Sequence, residues 1–194
     1  MRCFVAIGID PAIRARLEAA VDRLRRATET AVAAGARITW TRPDGWHVTV
    51  KFLGELAEER IASVLAALSA TVGGFRRFDM TLAGLDAFPP GRAARALTVG
   101  VIDDGESARL AENVNTTLAA LDFARDEKPY VGHLTLARLR DRAGARAVRE
   151  AIAEKNGEVF GTTTIESVGL YESILEPTGA LYHDLARLAL DART

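Results

Sequence analysis

The pattern that most constrains this chain is a short alternating segment that occurs twice. His47-Val48-Thr49-Val50 returns 86 residues later as His133-Leu134-Thr135-Leu136. A period of two is that of a strand, so each segment predicts a strand with His and Thr on one face and aliphatic side chains on the other. The same offset carries Leu53 onto Leu139 and Leu82 onto Val168. Each copy then reads in one order: motif strand, charged turn, helix (57–72; 144–155), strand (76–87; 158–171), breaker-containing turn, strand (95–102; 180–190). Two copies at so long a period exclude a solenoid, which stacks many short repeats, and indicate an internal duplication.

The remaining segments fit the same plan. Residues 2–9 predict a strand, and Asp10-Pro11 supplies a helix cap and a first-turn proline. Ile13, Leu17, Ala20, Val21 and Leu24 recur at helical spacing until Gly35. Ile38–Thr41 is a short strand candidate, and Leu110, Val114, Leu118 and Leu121 mark a helix over 105–121. Strict alternation from Trp46 puts Val48, Val50 and Phe52 in the core and His47, Thr49 and Lys51 on the opposite face. Two related strand-and-helix units form most simply an α+β fold of two pseudo-symmetric lobes. Each lobe is expected to hold an antiparallel or mixed sheet with outer helices, the motif strands facing one another across a central cleft. A single bilobal domain over 1–194 is expected, with the repeat near 47–102 and 133–190.

Composition narrows the function. Twenty-five Lys and Arg against 26 Asp and Glu leave a net charge of −1, so no general positive field exists to coat a duplex. Nucleic-acid chemistry here must be local. Cys3, the single cysteine, reads as a small buried hydrophobe. The three histidines show no HxxxH or HExxH spacing, so no metal site is expected. No run reaches the roughly 18 apolar residues of a membrane span, and the opening apolar run is too short for a signal-peptide core. A cytoplasmic protein acting without a membrane, and as a monomer, is the expectation.

Two imidazoles with pKa near 6.5 allow one to act as base while the other acts as acid. Cleavage of a phosphodiester needs the nucleophile deprotonated on one side of phosphorus and the leaving oxygen protonated on the other. A pseudo-twofold cleft supplies His47 and His133 for these tasks. Thr49 and Thr135, beside them, can donate hydrogen bonds to non-bridging phosphate oxygens. Lys51 is a candidate phosphate ligand on the His47 face. Arg138 is another, although strict alternation turns it away from His133 unless a bulge intervenes. Trp40 and Tyr171 are candidates for base stacking. Arginines at 140, 142, 146 and 149, and at 76, 77, 92 and 95, form two further basic stretches.

Taken alone, a histidine near a threonine on one strand is more often a structural pair than a catalyst; two copies at a shared offset reverse that weighing. His183, with no threonine partner, reads as a surface or structural residue.

These residues resemble the RNA 2′,3′-cyclic phosphodiesterases, or 2′-5′ RNA ligases, of the 2H phosphoesterase superfamily, which is marked by two HxTx motifs. The similarity extends to Arg2-Cys3-Phe4-Val5-Ala6-Ile7, Trp40, Pro43, Lys51-Phe52-Leu53-Gly54, Ala87-Phe88-Pro89, Ala137-Arg138 and Leu170-Tyr171-Glu172-Ser173. The resemblance implies opening of a 2′,3′-cyclic phosphate at an RNA end to a 2′-phosphomonoester, with 2′-5′ ligation in the reverse sense, and neither ATP, metal nor other cofactor. It implies His47 as proton donor, His133 as proton acceptor and Arg138 as a phosphate ligand. Gly132 stands where the family often has Pro, and Thr98 where an aromatic is common; both bear on substrate preference. The superfamily also leaves open another cyclic phosphate or a 2′-5′ oligonucleotide as substrate, and a non-catalytic RNA-end-binding module is the alternative outside enzymology.

Overall fold

In the computed structural model, which describes residues 1–91, 94–153, 157–176 and 179–192, nine strands and four α-helices follow one another along the chain, with short 3-10 turns at Pro43–Gly45 and Glu58–Arg60. They are β1 (Arg2–Gly8), α1 (Pro11–Ala33), β2 (Ile38–Trp40), β3 (His47–Glu55), α2 (Ile61–Gly73), β4 (Phe78–Phe88) and β5 (Ala96–Ile102). Then come α3 (Glu106–Ala119), β6 (His133–Leu139), α4 (Arg142–Ile152), β7 (Val159–Ile165), β8 (Ser167–Glu176) and β9 (Gly179–Ala189). The expected end of the fourth helix at 155 and Arg92 of the second basic stretch lie outside the described residues. No helix among the described residues is long and apolar enough to cross a membrane.

Local chemistry explains the element ends. The Asp10 carboxylate accepts from the Ala12 amide (2.7 Å) and Pro11 opens α1, while Gly35, at φ +100°, lets the chain leave it. Asp141 caps α4 in the same way through the Gly144 amide (2.7 Å). The helices bury Ile13, Leu17, Ala20, Val21 and Leu24 of α1, and Leu110, Val114 and Leu118 of α3, against one face of the sheet.

The strands form one antiparallel sheet in the order β7-β4-β5-β6-β3-β1-β8-β9, with β2 pairing β6 beyond the point where β3 leaves it. The α+β architecture of two pseudo-symmetric halves is thus present, joined at β6 and β3. The halves are not the two copies as read along the chain. Strands β4 and β5 lie beside β6, not beside β3. The related units are better taken as β1-α1-β3-α2-β4 and β5-α3-β6-α4-β8. The third strand of each crosses over to pair with the first strand of the other: β4 on β5 and β8 on β1. The strand expected over 158–171 is accordingly two, broken at Glu166, because β7 pairs β4 in one half and β8 pairs β1 in the other. Hydrophobic period registers burial and carries no information about which neighbour a strand takes.

Candidate active site

β3 and β6 meet at the register pair Val48↔Leu134. Both side chains are fully buried toward the helices, so the residues on either side of each, His47 and Thr49, His133 and Thr135, point to the open face of the sheet. Antiparallel direction sets His47 on the Thr135 side and His133 on the Thr49 side. The histidines therefore stand at diagonal corners of a four-residue cluster.

The two imidazoles are held alike. His47 Nδ1 lies 2.7 Å from the Gly45 carbonyl and His133 Nδ1 lies 2.8 Å from the Val131 carbonyl. A carbonyl only accepts, so each Nδ1 carries its proton and each Nε2 is left as the reactive nitrogen. Their surroundings differ. His47 sits among the rings of Phe4 (4.7 Å between centroids), Tyr182 (5.0 Å, edge-on) and Tyr171 (6.5 Å). Burial there pushes its pKa below the ordinary imidazole value, against the smaller upward pull of the Gly45 carbonyl. Among the described residues His133 has one aromatic neighbour, Phe88, whose ring lies nearly parallel at 5.9 Å and is 43% exposed.

Both motif strands contain a one-residue bulge directly after the threonine. In β3, Thr49 pairs with Ala6 and Lys51 with Val5, leaving Val50 extra; in β6, Thr135 pairs with Thr98 and Ala137 with Leu97, leaving Leu136 extra. Each bulge reverses the facing of the residues beyond it. Arg138 is thereby returned to the His133 face, exposed, and its charge acts on the Tyr182 hydroxyl, lowering a pKa that burial raises. The equivalent residue in β3 is Phe52, which the alternation placed in the core; it is 68% exposed on the open face. Lys51, expected beside the phosphate, is turned into the protein instead and is 2% exposed. Its Nζ donates to Asn115 Oδ1 (2.8 Å), the Ala124 carbonyl (2.9 Å) and Asp126 Oδ2 (3.1 Å). Lys51 is a structural tie between β3 and the segment after α3, and the phosphate role expected for it is withdrawn.

Two hydroxyls that sequence reasoning missed brace the cluster crosswise. Thr41, ahead of the first motif, gives its amide to the Leu136 carbonyl (2.9 Å) and directs its hydroxyl at the Leu136 and Thr135 carbonyls (2.8 and 2.9 Å). It accepts in turn from Trp46 Nε1 (2.8 Å), and Trp46 is buried as expected. Tyr130, ahead of the second motif, donates to the Thr49 carbonyl (3.1 Å). Burial pushes its pKa up to about 12, so it remains a donor at neutral pH. Bulges free carbonyls from the ladder, and these hydroxyls satisfy them. The only sequence signal was their position just upstream of each motif. The Thr49 and Thr135 hydroxyls themselves have no hydrogen-bond partner among the described residues.

The other expected residues divide. Trp40 pairs with Ala137, whose side chain faces the helices, and the Arg25 guanidinium of α1 lies over its ring at 5.6 Å. It cannot reach the open face, and its expected stacking role is withdrawn. Tyr171 is on the open face, stacked on Phe4 at 5.4 Å, and helps enclose His47. His183 is exposed and Cys3 is buried, as expected. Thr98 is buried and lies level with Thr135. At Gly132 an added Cβ would lie 3.0 Å from Val101 Cβ and 3.2 Å from Ser107 Oγ, a tight fit. No group of three or more His, Cys, Asp or Glu side chains that could hold a metal ion occurs among the described residues.

A sequence profile of the 2′-5′ RNA ligase superfamily matches residues 9–174. The RNA 2′,3′-cyclic phosphodiesterase of Archaeoglobus fulgidus is 32% identical over 185 residues, covering 95% of this chain and 98% of that protein. The protein of the same name from Methanothermobacter thermautotrophicus is 26% identical over 185 residues, covering 95% and 96%. A crystal structure of a Thermus thermophilus protein aligns over 100% of both chains with a TM-score of 0.76 and 26% identity. E. coli LigT complexed with 3′-AMP aligns over 97% of both chains with a TM-score of 0.72 at 20% identity, a likeness of fold.

Proposed function

The chain belongs to the 2′-5′ RNA ligase superfamily, and from that membership we propose that it opens 2′,3′-cyclic phosphates at RNA ends to 2′-phosphomonoesters by acid–base catalysis between His47 and His133. One observation carries the reading: two imidazoles, each with Nδ1 fixed on a carbonyl, stand diagonally about two threonine hydroxyls that have no hydrogen-bond partner among the described residues. An in-line displacement at phosphorus needs a base on one side and an acid on the other, and this arrangement supports that reading.

In the reaction, His133 Nε2 takes a proton from water as the water oxygen bonds to phosphorus. The bond from phosphorus to the 3′ oxygen breaks, and His47 Nε2–H gives its proton to that oxygen. The product carries a 2′-phosphate and a 3′-hydroxyl, and exchange with solvent restores both histidines. Thr49, Thr135 and Arg138 stabilise charge on the non-bridging oxygens. The anionic phosphate favours protonated His47, offsetting the burial that lowers its pKa. An RNA 5′-hydroxyl in place of water gives the 2′-5′ linkage through the same groups.

The test is an oligonucleotide ending in a 2′,3′-cyclic phosphate, incubated with the protein in EDTA. A 2′-phosphate is the expected product. A 3′-phosphate would overturn the leaving-group assignment, complete inhibition by EDTA would overturn the metal-free mechanism, and binding without turnover would favour a binding module.

A further inference from the structure

A cavity of about 540 Å³ opens beside His47 and runs from Gly8 and Gly169 on the sheet to Arg14 in the first turn of α1 and Arg187 on β9. That volume falls among pockets that hold one small ligand, roughly 300–1,000 Å³. Its carboxylates are all engaged. Asp44 pairs with Arg42 (2.8 Å), Glu166 with Arg77 (2.7 Å) and Asp184 with Arg187 (2.9 Å), while Asp10 caps α1. Arg14 differs: it is half-buried, and its guanidinium has neither a carboxylate within 4.0 Å nor a hydrogen-bond partner among the described residues. Its Nε is sealed from solvent with no acceptor. The terminal Nη1 and Nη2 are not sealed in this way and have no acceptor among the described residues either, so their N–H groups are the donors that an incoming anion can reach.

The opposite groove, beside His133, is of similar size at about 640 Å³. It is lined by Asp86, Phe88, Thr98 and Val131 and, among the described residues that line it, by neither Lys nor Arg. The two grooves therefore present different charge to a polyanion.

We propose that Arg14 binds the internucleotide phosphate on the 5′ side of the terminal nucleoside, so that the RNA chain enters along the His47 groove and the His133 groove receives the nucleophile. This rests on the reading of His47 as proton donor. The leaving 3′ oxygen then lies at His47, which places its ribose, and the chain continuing 5′ from it, on that side of phosphorus. The next phosphate along is an anion, and Arg14 is the cation there with no partner among the described residues.

Isothermal titration with adenosine 2′-monophosphate and adenosine 2′,5′-bisphosphate separates the two phosphates without turnover. The unmodified protein is expected to bind the bisphosphate about ten- to a hundredfold more tightly. Arg14→Gln should remove that advantage and leave the monophosphate within about twofold, while Arg14→Lys keeps most of it. Thermal melts establish that both variants are folded. In kinetics, Arg14→Gln should lower kcat/KM for a dinucleotide cyclic phosphate and spare a mononucleoside cyclic phosphate. Equal affinity of the unmodified protein for the two ligands, or an equal loss of both in Arg14→Gln, overturns the proposal. Failure of the hydrolytic reading shows separately, as no turnover of either cyclic phosphate by the unmodified protein.

Discussion

Phe52 and Arg138 occupy equivalent positions on the two motif strands. Each follows a one-residue bulge, at Val50 and Leu136, and each stands exposed on the open face, across from Phe4 and Ala96. The duplicated frame thus offers an aromatic ring in one half and a guanidinium in the other, and the two substitutions test different properties. Arg138→Ala is expected to lower kcat/KM by about ten- to a hundredfold, the worth of one charged hydrogen bond in the transition state. Phe52→Ser is expected to change unfolding free energy by less than about 1 kcal/mol, against the roughly 3–5 kcal/mol typical of a buried aromatic. Urea titration decides; a core-sized loss would place Phe52 where simple alternation put it.

His47→Ala and His133→Ala should each lower kcat on a cyclic-phosphate end by about 10²–10⁴-fold, the range of a general acid or base. Circular dichroism melts should stay near those of the parent. Full activity in either variant removes that residue from the mechanism.

The pH profile should be unequal. A proton donor acts in its protonated form, so activity falls as pH rises through its pKa. Burial lowers the His47 pKa, which moves that alkaline limb of kcat/KM to lower pH than an exposed imidazole near 6.5 would give. Tyr182→Ala rehydrates the ring, and the limb should move up. NMR titration of His47 beside the rate profile checks the assignment; a limb that stays still or moves down would count against it.

Lys51→Met should behave as a structural change. Its ammonium is buried among Asn115, Asp126 and the Ala124 carbonyl, so a loss of about 1–3 kcal/mol in unfolding free energy is expected, with KM within about twofold of the parent. A rise in KM of tenfold or more without loss of stability would restore the phosphate contact that alternation suggested.

The sequence by itself determined the duplication, the α+β class, the helix cap at Asp10 and the side of the strand that His47, Thr49, His133 and Thr135 face. These are properties of spacing, and spacing is set by backbone geometry over a few residues. It also held the condition for Arg138, which needed a bulge to face the site. Whether the bulge exists was decided elsewhere. Extra residues at Val50 and Leu136 are accommodated because neighbouring strands pair around them and because Thr41 satisfies the carbonyl freed at Leu136.

Only the tertiary structure decided what lies beyond those bulges: Lys51 inward, Phe52 and Arg138 outward, and Trp40 under Arg25. It also decided that each unit lends its third strand to the other, and that Phe4, Tyr171 and Tyr182, far apart in the chain, enclose one histidine and not its counterpart. Local pattern cannot carry this, because a single inserted residue inverts the facing of all that follow, and strand partners are chosen by surfaces that meet only once the chain has folded.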